Sequence, residues 1–194
     1  MKNRVCAKRF LAVILLALLA SLVASAAGAD EWSRKGKRDF YGVMQMMSSD
    51  TTTISGSSVS MEVDKTTTYG FGFGANLDDH FNLNTDFLFG STDVKGSNGV
   101  TLSPTQILWD INLDYNILKN RLTPLVSAGI GFMNFSGDDY AETDFSYNLG
   151  VGARWDATNN LFVKAMYRWT WTKLQDTDSG VMFDGPMICV GLMF

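Results

Sequence analysis

The chain is poor in the residues that build covalent staples and metal or redox centres: among 194 residues it has two cysteines, one histidine and three prolines. Cys6 lies in an N-terminal segment read below as removable. That leaves Cys189 alone and excludes an internal disulfide, so stability must come from hydrogen bonding and burial. Cys189 is expected to pack inward as a small residue without chemistry of its own. Beyond Asp30 no run reaches the roughly eighteen apolar residues of a membrane-spanning helix. The lone histidine, His80, falls in a predicted short turn with Asp78 and Asp79 but no serine, which argues against a Ser-His-acid site for lipid hydrolysis or acyl transfer. No catalytic residue, no enzyme activity and no cofactor is expected.

What is present begins with a targeting pattern. Lys2, Arg4, Lys8 and Arg9 precede or open an almost wholly apolar stretch over 10–23, and Ala27-Gly28-Ala29 fits an A-x-A cleavage site, as does Ala24-Ser25-Ala26. Residues 1–29 are therefore read as a cleaved signal peptide. Taking its four basic side chains from the total of 16 leaves 12 against 20 acidic ones, a net charge of −8. Nucleic acid is excluded as a partner on that balance. Residues 30–38 form a short basic leader carrying Arg34, Lys35, Lys37 and Arg38; it is expected to be solvated, with contact to anionic lipid at an inner rim as the alternative. Residues 39–194 read as one domain.

That domain alternates with period two, the signature of strands. Over 143–172, Phe145, Tyr147, Leu149, Val151, Ala153 and Trp155 share one face, and Leu161, Val163, Ala165, Tyr167, Trp169 and Trp171 another, around a turn at 156–160. The same pattern gives strands at 69–75 and 81–89, and at 107–117, where Ile107, Trp109, Ile111, Leu113, Tyr115 and Ile117 oppose Asp110, Asn112, Asp114 and Asn116. Further strands are read at 122–133 and at the C-terminal PMICVGLMF. A first strand at 39–47 has no assignable face, because Phe40 and Tyr41 are adjacent aromatics. Pro104 stands at a strand start, where a missing N–H does least damage.

The total is eight strands. Long polar connections (48–68, an exposed loop with strand extensions above the membrane as the alternative, then 91–103, 136–142 and 174–183) alternate with short turns, which places the short turns at the same end as both chain termini, as an even-stranded bacterial barrel requires. The apolar faces from the second strand onward carry 16 of the 24 aromatic residues, and the polar faces are mainly Gly, Ser, Asn and Asp, with Phe162 the aromatic exception. An eight-stranded barrel encloses only enough room for side chains. Sixteen rings do not fit inside, so they face lipid, and closure pairs every strand N–H and C=O within it. The expectation is an all-β, eight-stranded antiparallel transmembrane β-barrel in an outer membrane, preceded by the signal peptide.

The YGFGFGANL-turn-HFNLNTDFLF and NLGVGARW-turn-LFVKAMYRW hairpins and the terminal Phe194 resemble the small outer-membrane β-barrel proteins of Gram-negative bacteria, the group with OmpA-type transmembrane domains, OmpX and OmpW. That resemblance covers residues 39–194. It implies a porin-like or OmpA-like cell-envelope protein in the outer membrane of a Gram-negative bacterium, with periplasmic N- and C-termini. It also implies that Phe194 is a signal read by the barrel-assembly machinery.

Candidate functional residues follow from the faces. Asp86, Asp110, Asp114, Arg154, Lys164 and Arg168 lie on polar faces and are expected to form a charge network filling the lumen, with Asp114 and Lys164 near the short-turn end and Asp110 and Arg168 nearer the middle. The alternative is a gate or a thin aqueous path. Trp109, Tyr115, Trp155, Tyr167, Trp169 and Trp171 are expected at membrane interfaces. Asp138, Asp139, Glu142 and Asp144 cluster on one outer loop but match no calcium loop, so no metal is assigned. The expected role is structural or surface-interacting, with outer-membrane lipids and lipopolysaccharide as partners and a monomer as the state. The alternative is a narrow channel or transporter for small solutes or small hydrophobic molecules.

Overall fold

The computed structural model describes residues 32–49, 52–53, 60–63, 66–91, 94–96, 101–102, 104–137, 141–172 and 181–194. The expected signal peptide and most of the connection at 174–183 lie outside them. The strands are β1 Arg38–Ser49, β2 Thr52–Thr53, β3 Ser60–Val63, β4 Thr66–Asn76, β5 Phe81–Ser91, β6 Val94–Gly96, β7 Thr101–Leu102, β8 Thr105–Asn116, β9 Leu122–Ser136, β10 Ala141–Asp156, β11 Leu161–Thr172 and β12 Val181–Met193. The eight long ones close an antiparallel barrel in the order β1-β12-β11-β10-β9-β8-β5-β4.

Closure comes with a fixed stagger. From Val43, paired residues lead one way through Cys189 and Lys164 to Arg154 on β10, and the other way through Gly70, Leu88, Leu108 and Met133 to Asp144. The gap from 144 to 154 is ten residues, and a shear of that kind obliges the strands to tilt.

Alternation assigns the faces. Along β8 burial switches at every residue, with Ile107, Trp109, Ile111, Leu113 and Tyr115 outward and Leu108, Asp110, Asn112, Asp114 and Asn116 buried. Cross-strand neighbours place Phe71, Phe87, Trp109, Phe132 and Phe145 in one row of touching rings across five strands. The face left open in β1 resolves as Phe40 outward and Tyr41 inward, at 45% and 2% exposure. Tyr41 needs the glycine across from it, because a Cβ at Gly72 would lie 2.4 Å from its ring.

Three expectations need correction. The connections at 48–68 and 91–103 hold more than loop and strand extension: β1 and β4 do extend to Ser49 and from Thr66, but β2, β3, β6 and β7 also pair into a separate four-stranded sheet, from Ser/Thr-rich stretches that show no apolar alternation to read. The interior is not polar along its whole length. Met47, Leu88, Leu108, Met133, Phe135, Val181 and Phe183 are buried toward the end nearest that sheet, and Phe135 and Phe183 approach to 6.1 Å. The leader is not a solvated tail, as described next.

Candidate functional site

The lumen is organised by long basic side chains on β10 and β11 reaching across to acids on β1, β5 and β8. Arg168 pairs in register with Gly150 and Gly185, neighbours without side chains to obstruct it. Its Nη2 reaches Asp86 Oδ2 at 2.8 Å and its Nη1 reaches Asp110 Oδ2 at 3.2 Å, with all three side chains at 0% exposure. Asp86 also accepts from Tyr41 Oη at 2.6 Å and from Asn112 Nδ2 at 3.0 Å. Toward the short turns, Lys164 Nζ bonds Asp114 Oδ2 at 2.9 Å.

Arg154 forms the next layer. It holds Asp39 through both Nη atoms, at 2.8 and 3.2 Å, and Asp156 Oδ1 through Nε at 2.9 Å, while its guanidinium lies over the Phe162 ring. Asp39 is completed by the Nδ2 groups of Asn76 and Asn82, each at 3.0 Å. The six expected charges are thus all buried, and each lies in a cross-lumen ion pair. Sequence reasoning missed Asp39, because the face of β1 was open, and Asp156, because it was assigned to a turn.

The same chain of charges extends into the leader. Arg34 is fully buried, with Nε 2.5 Å from Asp156 Oδ2, Nη1 donating to the Asp79 carbonyl and Nη2 to the Asn120 carbonyl. Asp79 Oδ1 accepts from Ser33 Oγ at 2.7 Å and from the Arg34 N–H at 2.8 Å. Trp32 donates to Asp156 Oδ2, and its ring carries Lys37 and Arg121. The chain can turn back under the barrel because Gly36 takes φ +78°, a left-handed conformation that glycine adopts without strain. The leader therefore straps across the short-turn mouth. Nothing in its own pattern signals this, because its acceptors lie on two turns and a strand end distant in sequence.

Electrostatics at this mouth match the geometry. Burial lowers the Arg34 guanidinium from its ordinary value, with Asp156 opposing it. Partial burial pushes the Asp79 carboxyl up, yet the donors from Ser33, Arg34 and Lys35 bring it below its ordinary value. Asp78 is held low by the N–H groups of Phe81 and His80. His80 itself has Nδ1 2.7 Å from the Asn116 carbonyl and stacks on Tyr115, the bonding of a turn residue. Among the described residues no three His, Cys, Asp or Glu side chains are grouped to hold a metal; Asp138 and Asp139 lie outside those residues.

On the outside, Trp109 and Trp155 are exposed at 39% and 52%, and Tyr115 packs on Phe81 at 5.0 Å. Tyr167 and Trp169 touch at 5.0 Å, and Trp171 stacks on Tyr147 at 5.3 Å. Phe194 exchanges two backbone hydrogen bonds with Arg38, joining the last residue to the start of β1, while its ring faces outward.

A closed eight-stranded barrel with an aromatic, apolar exterior and a buried ionic interior has the architecture of a small bacterial outer-membrane protein. Residues 14–194 match the family described as "Outer membrane protein beta-barrel domain", and the chain belongs to that family, in the outer membrane of Gram-negative bacteria. No curated protein matches the sequence. The fold is similar to that of OprG from Pseudomonas aeruginosa (TM-score 0.57, 14% identity, 86% of this chain and 99% of that one). It is also similar to the N-terminal barrel domain of Pseudomonas aeruginosa OprF (0.55, 16%, 84% and 100%). A third similar structure is Neisserial surface protein A (0.55, 13%, 82% and 100%).

Proposed function

We propose that this protein is a non-enzymatic structural and surface-presenting element of the outer membrane, with a lumen closed to solutes. The observation that carries the reading is Arg168 joined to Asp86 and Asp110 across the middle of the barrel with no exposed surface on any of the three. The strap of Arg34 beneath it supports the same reading. In this proposal residues 1–29 are a cleaved signal peptide, both termini lie in the periplasm, and the β2-β3-β6-β7 sheet projects outside. Phe194 serves as an assembly signal, the interface aromatics anchor the barrel in lipid, and the barrel acts as a monomer.

A narrow-channel reading draws on other interior atoms. The Gln45 side-chain amide, Thr170 Oγ1 and Arg168 Nε are buried without a protein hydrogen bond, and a thread of water would satisfy such groups. Conductance separates the two. The refolded mature protein in a planar bilayer is expected to give no single-channel steps, and Arg168→Ala together with Arg34→Ala is expected to introduce them. Steps from the unaltered protein would favour the channel.

A further inference from the structure

A charge on the lipid side of a barrel is costly, less so for Asp than for Arg or Lys, and ionisable groups in the membrane region default to a functional reading. Among the described residues of the eight barrel strands, the outward positions carry a charge only at Arg38, beside Phe194 at the short-turn end, and at Asp184. Asp184 is the fourth residue of β12, near the opposite end of the barrel. It pairs in register with Ser48 on one side and Trp169 on the other.

The carboxylate is held rather than loose. Ser48 Oγ donates to Oδ1 at 3.1 Å and Tyr167 Oη to Oδ2 at 2.5 Å. Both donors are neutral, and among the described residues no cation forms an ion pair with Asp184. A carboxylate has about four acceptor sites, so two hydroxyls leave acceptor capacity for a further donor. Beside it stands an aromatic wall of Tyr167, Trp169, Trp171 and Tyr147. Across the barrel, the outward residues near the same end include the apolar Phe89, Ile107 and Phe132 and the uncharged Thr105 and Asn134, the latter donating to Thr143 Oγ1, and none of them is a carboxylate.

An anionic acceptor next to indole and phenol faces has the chemistry that recognises a sugar ring, whose hydroxyls donate while its C–H face packs on the rings. We infer that Asp184, Ser48, Tyr167 and Trp169 form a docking site on the barrel wall for the sugar head group of an outer-leaflet glycolipid. This rests on the proposed orientation, which puts Asp184 toward the outer leaflet. The site makes the barrel two-sided in charge, with the carboxylate over β10, β11, β12 and β1 and no outward carboxylate over β5, β8 and β9.

The test is titration of the mature protein, in phosphatidylcholine nanodiscs, with deep-rough lipopolysaccharide, read by native mass spectrometry with and without EDTA. One lipopolysaccharide is expected to bind in EDTA, with affinity falling about tenfold in Asp184→Asn, the loss expected of a hydrogen bond to a charged group. Tyr167→Phe, which keeps the charge, is expected to weaken binding less, and Phe132→Leu on the other sector to leave it unchanged. Heat-modifiable gel mobility confirms that each variant is folded. Equal affinity in Asp184→Asn, or binding abolished by EDTA, would overturn the site. Labelling of Lys95→Cys on intact cells by an impermeant maleimide tests the orientation separately. If that residue is shielded, the orientation and the glycolipid's access to Asp184 both fall; if it is labelled while Asp184→Asn binds normally, the site alone falls.

Discussion

Replacing Arg168 by methionine removes the central charge of the lumen while keeping most of its volume. In the unaltered barrel its guanidinium bridges Asp86 and Asp110, with every side chain at 0% exposure. Asp86 would keep Tyr41 Oη and Asn112 Nδ2 as donors, but Asp110 would lose its ion-pair partner. Breaking a buried pair by deleting one partner costs about 3–5 kcal/mol, and two stranded carboxylates place this site toward the upper end. Neutralising the acids as well should recover most of that loss, because replacing a whole buried ion cluster by uncharged groups of similar size is often neutral. The assay is reversible urea unfolding in phosphatidylcholine vesicles followed by tryptophan fluorescence, comparing Arg168→Met with the Arg168→Met, Asp86→Asn, Asp110→Asn triple variant. A loss below about 1 kcal/mol in the single variant, or a triple variant no more stable than the single one, would refute the reasoning.

Other expectations follow from particular contacts. Gly72→Ala should destabilise by about 1–3 kcal/mol in the same assay, since its methyl would collide with the Tyr41 ring; an unchanged midpoint would mean that the ring has room to move. Docking of the leader, followed as the fluorescence difference between the protein and its Trp32→Phe variant, should have an acid limb. Because the Asp79 carboxyl is lowered in the folded state, its contribution is present above the ordinary carboxylate value of about 4 and is lost as pH falls through the folded value. A transition centred near neutral pH would contradict this. Cys189 has 0% exposure, so it should resist maleimide in the folded barrel and react after unfolding; rapid labelling of the folded form would show an open interior.

How much of this was legible in the sequence depended on which physical rule each residue obeys. Strands with one lipid face and one polar face declare themselves, which is why β5, β8, β10 and β11 and the inward Asp86, Asp110, Asp114, Arg154, Lys164 and Arg168 could be read in advance. Where both faces are apolar the period vanishes. Phe132 and Phe135 sit on opposite faces of β9, and the inward Phe135 belongs to an apolar upper interior that no alternation announced. Phe40 and Tyr41 pose the same difficulty, settled only by closure of β1 against β4 and β12. Arg34 is a different case. Its burial depends on Asp156, Asp79 and Asn120, brought together from the end of β10 and two separate turns, so a local charge pattern reads it as surface. Asp184 falls between the connection read at 174–183 and the PMICVGLMF strand, and its outward placement emerges only from its register with Ser48 and Trp169.

The central claim is a barrel whose outside is lipid-facing and whose inside is packed, and spin labels along β8 test it most directly. In a Cys189→Ala background, single cysteines at residues 107–115 would be labelled in vesicles, and their collision rates with oxygen and with a water-soluble nickel chelate compared. The account predicts a period-two pattern, with oxygen reaching positions 107, 109, 111, 113 and 115 and neither reagent reaching 108, 110, 112 and 114. Ready access of the nickel chelate to positions 110 and 112 would contradict it, revealing an aqueous lumen where the Arg168 layer is placed.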